Sequence, residues 1–191
     1  MQAAVFLDRD GILNRLVVRD GRAVSPRSFS QFEVLPGVAG ALETLKRLGF
    51  LAIGVTNQPD IARGFLKPED LDRMHEYLRT TLPLDAIYSC PHVDGDGCAC
   101  RKPKPGLLLR AAAEWQIRLE DSWVVGDSWK DLEAGRAARC NTCLVRTSAT
   151  GETPGGAMAV VSSLAEAVNA IVIDLQGQRS AQTRGSGEDK D

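Results

Sequence analysis

The feature that most constrains this chain is its rhythm. Short β-rich runs alternate with amphipathic helical stretches through most of its length. Ala3–Leu7, Leu51–Val55, Ala86–Ser89, Trp123–Val125 and Thr142–Val145 read as strands. Pro36–Leu48, Pro68–Leu82, Gly106–Trp115, Lys130–Arg139 and Ser163–Val172 read as helices. In the first of these, Pro36 suits the opening turn, Leu42, Leu45 and Leu48 recur on one face, and Gly49 suits the stop. Leu71, Met74 and Leu78 share a face of the second. Leu51–Val55 is apolar on both faces, as a strand buried inside a parallel sheet must be. Strands and helices in this order predict an α/β domain with a central parallel sheet between helical layers.

A chain of 191 residues fits one domain and can bury a full core. The apolar pattern predicts that the domain spans 1–175 and that Gln176–Asp191, almost devoid of apolar residues, is a solvated tail. A net charge of −2 excludes the broad positive field of a nucleic-acid or anionic-membrane binder. Apolar runs such as Phe50–Val55 are far too short to span a membrane. Ala3–Leu7 has no basic flank before it and two aspartates after it, unlike a secretory leader. Five cysteines, an odd number in a chain this long, do not suit a disulfide framework. The expectation is a cytoplasmic, monomeric protein with reduced thiols and a small-molecule partner.

In open parallel sheets ligands sit beyond the carboxyl ends of the strands. Asp8-Arg9-Asp10-Gly11 follows the first strand, and Thr56-Asn57-Gln58 the second. A Cys-rich loop ending in Arg101-Lys102 follows the third, and Gly126-Asp127-Ser128 the fourth. Singly, Asp-Gly pairs make turns and aspartates cap helices. Four polar clusters at four strand ends point to one site. Asp8 and Asp10 are two apart and repel unless a cation lies near them. With Asp127 they form an oxygen-only set suited to Mg²⁺ and a substrate phosphate. Lys102 and the Thr56 hydroxyl supply the charge and the donor that phosphoryl oxygens need.

These clusters carry a family resemblance. Phe6-Leu7-Asp8-Arg9-Asp10-Gly11, Val55-Thr56-Asn57-Gln58, Arg101-Lys102-Pro103, and Val125-Gly126-Asp127 with Asp131 resemble the four motifs of haloacid dehalogenase-type (HAD) phosphatases. Thr56-Asn57-Gln58 with Ile61-Ala62-Arg63-Gly64 and the Cys/His loop is similar to the heptose-bisphosphate phosphatase and histidinol-phosphatase branch. The resemblance implies a three-layer, Rossmann-like core. It also implies Mg²⁺-dependent hydrolysis of a phosphomonoester through an aspartyl-phosphate on Asp8. Asp10 is then the acid and base, Thr56 and Lys102 bind the phosphoryl group, and Asn57, Gln58 and Arg101 contact substrate. Asp8, Asp127 and the Asp10 backbone carbonyl hold Mg²⁺, and Asp131 orients a metal water. The implied reaction is removal of the 7-phosphate of D-glycero-D-manno-heptose 1,7-bisphosphate, with histidinol phosphate or another small sugar phosphate as the alternative substrate. A reading of a different class is a non-catalytic phospho-receiver, against which the second acid, Asp10, speaks.

Cys90-x-His92 and Cys98-x-Cys100 make a Cys₃His set, a common structural Zn²⁺ site. The branch carries a Cys-x-His…Cys-x-Cys loop at this place, so a zinc-bound loop positioning Arg101 and Lys102 is expected. Cys140 and Cys143 read as buried packing residues, and His75 as a surface or boundary residue. The intervals between motifs are largely filled by single helices, which leaves no room for a folded cap. Walls from Asn14–Glu33, Gln58–Phe65 and the Cys/His loop are expected instead, with Arg15, Arg19 and Arg63 as further anion contacts. One departure stands out. The branch commonly has Lys directly after the fourth-motif Asp, where this chain has Ser128-Trp129-Lys130.

Overall fold

The computed structural model of the chain describes residues 2–147, 150–151 and 155–185. The elements are, in order, β1 (Ala4–Leu7), β2 (Val17–Arg19), β3 (Arg22–Val24), α1 (Val38–Arg47), β4 (Leu51–Asn57), α2 (Pro68–Thr81) and β5 (Ala86–Cys90). They continue with α3 (Gly106–Trp115), β6 (Trp123–Gly126), α4 (Trp129–Ala137), β7 (Asn141–Val145), β8 (Ala159–Val161) and α5 (Leu164–Gly185). The main sheet runs β5-β4-β1-β6-β7-β8, with every neighbouring pair parallel.

Helices cover both faces, as the doubly apolar strands require. Val5 and Leu7 of β1 join Leu42 and Leu45 of α1 and Val168 and Ile171 of α5 in one core. Ala4 and Phe6, pointing the other way, join Leu107, Leu108 and Ala111 of α3 and Ala134 of α4 in a second. Each fully buried aliphatic side chain contributes about 1.5–3 kcal/mol. Of the strand and helix expectations, each has its counterpart, with ends moved by one or two residues except in the last helix, expected to stop at Val172, which runs on through Gly185. Helix α1 starts at Val38 because Gly37 sits at φ 81°, outside helical conformation. The β2–β3 hairpin and α1 lie between the first and second motifs, α2 and β5 between the second and third, and α3 between the third and fourth, with no separate folded unit inserted among these described residues.

Three features differ from the sequence reading. The long connection Asn14–Glu33 holds the antiparallel hairpin β2–β3, turned at Asp20 (φ 50°) and Gly21 (φ 71°). Its three-residue strands are too short to show a periodicity. The edge strand β8 is missed for the same reason. The expected solvated tail from residue 176 is corrected in part: α5 continues through Gly185. Among the described side chains Leu175 is the last packed on the core, and Ser180 Oγ further along donates to the Gln176 carbonyl at 2.9 Å. The rest of the tail, 186–191, lies outside the described residues.

Candidate active site

Because β4, β1 and β6 are adjacent, their carboxyl ends set Thr56, Asp8 and Asp127 side by side. The Asp8 amide donates to the Val125 carbonyl at 2.9 Å, tying the first aspartate to the neighbouring strand. Lys102 arrives from the loop after β5 and is only 3% exposed. Its ammonium lies 2.9 Å from Asp8 Oδ1 and 2.5 Å from Asp131 Oδ1, and donates to the Val55 carbonyl at 2.9 Å. Burial works against this charge, but Asp131 and Asp8 more than offset it and hold Lys102 well above the ordinary lysine range. Asp131 also accepts from the Ser128 amide (3.1 Å) and hydroxyl (2.7 Å), closing a capping box at the start of α4. Gly126 permits this approach, since a Cβ there would overlap the Asp131 carboxylate.

Asp10 occupies a nest of donors. Arg9, fully buried, forks onto it with Nε to Oδ1 at 3.2 Å and Nη2 to both oxygens at 2.9 Å. Asn14 Nδ2 (2.9 Å), Gln58 Nε2 (2.7 Å) and the Ser25 hydroxyl (3.0 Å) complete the set. Burial would raise the pKa of this carboxyl, but Arg9, Asn14 and Gln58 outweigh it and hold it below the usual range. Gln58 Nε2 also lies 2.8 Å from Thr56 Oγ1, which joins the acid/base candidate to the hydroxyl of the next strand.

Carboxylate oxygens of Asp8, Asp127 and Asp131 lie within 4.8 Å of one another, so this group could hold a cation. Asp127 accepts from the Thr147 hydroxyl at 2.8 Å. Gly11, at φ 85°, leaves the space that Asp127 Oδ2 fills. Burial and Asp131 push Asp127 up to about 6, against the Thr147 bond and Lys102. Asp8 is raised too: burial and three neighbouring carboxylates outweigh Lys102. Crowded acidic groups that resist ionisation are what a divalent cation relieves.

Cys90, His92, Cys98 and Cys100 converge beside this site, with one ligand atom each inside 4.8 Å. Sulfur–sulfur separations of 3.1 to 3.7 Å and His92 Nδ1 at 3.4 and 3.5 Å from two sulfurs approach the edges of a tetrahedron. Zn–S bonds of ~2.3 Å give edges of roughly 3.8 Å. Burial works to raise Cys98, but the Arg101 amide and the neighbouring thiols bring it down to about 7.

A cleft of about 250 Å³ opens on Asp8, Asp10, Thr56, Lys102 and Asp127, with Ala23, Val24 and Ser25 of the hairpin segment on one side and Arg101 and Lys130 in its wall. A larger cavity of about 550 Å³ lies beyond Gly11 and Leu16, with mostly apolar walls and none of these carboxylates. Of the expected substrate contacts, Arg101 lines the smaller cleft, its Nε on Asp94 at 2.6 Å and its Nη1 buried without a protein partner. Gln58 lies under Asp10 with its Oε1 buried and unpartnered. Asn57 spends its amide on the Lys102 backbone. Arg15 pairs with Glu33, Arg63 with Asp60, and Arg19 donates to Gln31, so all three are engaged with neighbours. Cys140 and Cys143 are buried in opposite cores, which fits packing.

Comparison with known proteins agrees with this geometry. Residues 99–167 match the family model described as HAD-hydrolase-like. The chain is 41% identical over 157 residues to the D-glycero-beta-D-manno-heptose-1,7-bisphosphate 7-phosphatase of Helicobacter pylori J99, covering 79% of this chain and 87% of the relative. It is 38% identical over 183 residues to the Escherichia coli K12 enzyme of that name, covering 88% and 93%. The chain is a phosphatase of the HAD superfamily. The crystal structure of D,D-heptose 1,7-bisphosphate phosphatase from B. bronchiseptica, complexed with magnesium and phosphate, superposes with a TM-score of 0.77. The two share 32% identity over 90% of this chain and 99% of that one.

Five residues of this HAD phosphatase site escape the sequence reading: Arg9, Asn14, Ser25, His75 and Thr147. Arg9 sits inside the first motif, where an arginine between two aspartates is itself a signal of charge pairing. His75, expected at the surface or boundary, is 7% exposed and lies 3.4 Å from Arg9 through Nε2. Burial, with Arg9 and Arg79, pushes it down to about 3, so it is neutral. Its signal was its place one residue from Met74 on an apolar helix face. Ser25 and Thr147 come from segments whose sequence alone carries no such pattern.

Proposed function

We propose that this HAD phosphatase removes the 7-phosphate of D-glycero-D-manno-heptose 1,7-bisphosphate, the substrate named for its relatives. The observation that carries the reading is the pairing of two anion-binding ends in one small cleft. Lys102 and Thr56 face the nucleophile at one end, and Arg101 and Lys130 line the same cleft. A bisphosphate presents two anions to such a cleft. Histidinol phosphate would bring an ammonium group toward the same arginine and lysine. Lys130, two positions after the serine that stands for the usual lysine, supplies a cation there.

In the first step an Asp8 oxygen attacks phosphorus and the bond from phosphorus to the sugar oxygen breaks. Asp10 acts from its protonated form, the minor one amid its surrounding donors, and gives that proton to the leaving oxygen. Lys102 and the Thr56 hydroxyl meet the charge on the phosphoryl oxygens. In the second step water attacks the aspartyl-phosphate, Asp10 takes the water's proton, and inorganic phosphate leaves. The donors around Asp10 favour the carboxylate in which the first step leaves it. Mg²⁺ would be held by the carboxylates of Asp8 and Asp127, with the Asp10 carbonyl as the resemblance implies, and would neutralise phosphoryl charge. Asp131, engaged by Lys102 and Ser128, orients the lysine.

Zn²⁺ fits Cys90, His92, Cys98 and Cys100, and fixes the loop that carries Arg101 and Lys102. Among the described residues no helix is long and apolar enough to cross a membrane. We read the enzyme as a cytoplasmic monomer that binds neither nucleic acid nor membrane. Phosphate release from the heptose bisphosphate and from histidinol phosphate, each with Mg²⁺, tests the substrate. The expected preference in kcat/KM is at least ~10²-fold for the bisphosphate, the scale of one charge-paired contact. Near-equal slow turnover of both rejects the assignment.

A further inference from the structure

Helix α2 turns its core face inward with Leu71, Met74 and Leu78, and with one residue of another kind, His75. Its Nε2 lies 3.4 Å from Arg9 Nη1. The same Arg9 nitrogen lies 3.8 Å from Met74 Sδ, and the guanidinium carbon is 5.7 Å from the centre of the Phe32 ring. The guanidinium is thus walled by apolar and aromatic groups on the side away from Asp10. A permanent cation with no exposure needs an acceptor for each N–H it turns inward. A neutral imidazole presenting its Nε2 lone pair supplies one. An imidazolium there would place two cations in contact, so the geometry selects the tautomer protonated at Nδ1.

We propose that His75 is a positioning residue for phosphoryl transfer, acting through Arg9 to aim the Asp10 carboxyl at the leaving oxygen. The inference rests on the reading of Asp10 as the acid. With His75 in place, Arg9 has one low-energy orientation, and its fork fixes both Asp10 oxygens. Without that acceptor, the guanidinium turns to recover a partner and takes the fork with it. Asp8 and Lys102 are held by separate bonds to Val125, Val55 and Asp131, so nucleophile and phosphate binding stay in place.

The test compares two substrates in their kcat/KM. The sugar of the heptose bisphosphate leaves as an alkoxide and needs a proton. The aryl group of p-nitrophenyl phosphate leaves as a stable phenolate and does not. His75→Phe, which keeps a flat buried ring and removes the acceptor, is expected to lower kcat/KM for the sugar substrate about tenfold more than for the aryl one, a part of the ~10²–10⁴ that acid catalysis supplies. His75→Gln, whose amide oxygen can accept from Arg9, is expected to restore the ratio to within about twofold. Should His75→Phe not fold, His75→Met carries the same comparison. An equal loss on both substrates, no loss on either, or failure of folded His75→Gln to restore the ratio overturns the inference. Asp10→Asn separates the two claims. If it hits both substrates equally, the reading of Asp10 as acid is wrong; if it shows the bias and His75→Phe does not, only the role of His75 is wrong.

Discussion

Asn57 grips the backbone of Lys102 at both ends of its amide. Its Oδ1 accepts from the Lys102 N–H at 3.1 Å and its Nδ2 donates to the Lys102 carbonyl at 3.0 Å. The last residue of β4 thereby fixes a loop that has left the sheet after β5. Asn57→Ala should lower kcat by about 10–10² while KM changes little, because the lysine ammonium loses its aim rather than its charge. The two lost bonds should cost about 1–3 kcal/mol. Steady-state kinetics with thermal melts checks both, and a large rise in KM with unchanged kcat would place Asn57 on the substrate instead.

Lys102 sits among Asp8, Asp131 and Asp127 as the cation that lets buried carboxylates coexist. Lys102→Met should abolish measurable turnover and destabilise the metal-free fold by about 3–5 kcal/mol. Mg²⁺ should recover part of that stability. Lys102→Arg should not restore activity, because the planar fork cannot take the place of a compact ammonium held by Val55, Asp8 and Asp131. Denaturant melts with and without Mg²⁺ read these effects.

The acidic edge makes cation binding compete with protons. Burial and neighbouring carboxylates raise Asp8, and burial and Asp131 raise Asp127 to about 6. A raised folded-state value means that each group's contribution to the metal-free fold is complete below the unfolded value near 4 and is lost as pH rises through the folded one. Mg²⁺ should therefore raise the Tm more at pH 7.5 than at pH 5.5, and its affinity should weaken below pH ~6. Titration calorimetry at pH 7 in buffers of different ionisation enthalpy should register proton release on Mg²⁺ binding. Proton-independent binding across this range would remove Asp8 and Asp127 from the cation site.

Gly11→Ala tests the same site sterically. The new methyl would enter the space of Asp127 Oδ2 at a backbone conformation of φ 85° that alanine rarely adopts. Activity at saturating Mg²⁺ should fall at least tenfold and the Mg²⁺ requirement should rise, while zinc content stays unchanged. Equilibrium Mg²⁺ titration and metal analysis of the same preparation give the answer.

Removal of zinc should act through Arg101 and Lys102. Cys98→Ser or Cys100→Ser should leave purified protein depleted of zinc, lower the Tm by several degrees and reduce kcat/KM. A zinc-depleted protein with full activity and unchanged Tm would reduce the loop to bystander status.

The strand ends were legible because chemistry at the carboxyl edge of a parallel sheet is written in consecutive residues. Asp8, Asp10, Thr56 and Asp127 needed only the β/α alternation to be placed together, and Lys102 needed the loop that follows β5. The Cys/His cluster was legible because its four residues lie in one short loop. Asn57 was legible as a site residue but not as a clamp on Lys102, since nothing local shows that its amide meets a backbone group of a distant segment. His75 was read outward because a histidine beside a glutamate on a helix is more often wet than buried. Its partner, a buried arginine, lies on a different strand end. The β2–β3 hairpin was hidden by strands of three residues, although Asp20-Gly21 is the dipeptide such a turn favours.

The adjacency of β4, β1 and β6 has an engineering meaning. The distances among Thr56, Asp8 and Asp127 are set by the spacing of hydrogen-bonded strands, which no surface change can alter without breaking the sheet. The hairpin strands and the first turn of α4 around Lys130 line the rim of the cleft without supplying a reacting atom. A library confined to those two segments retargets the enzyme to other phosphate esters while the reacting atoms stay in register.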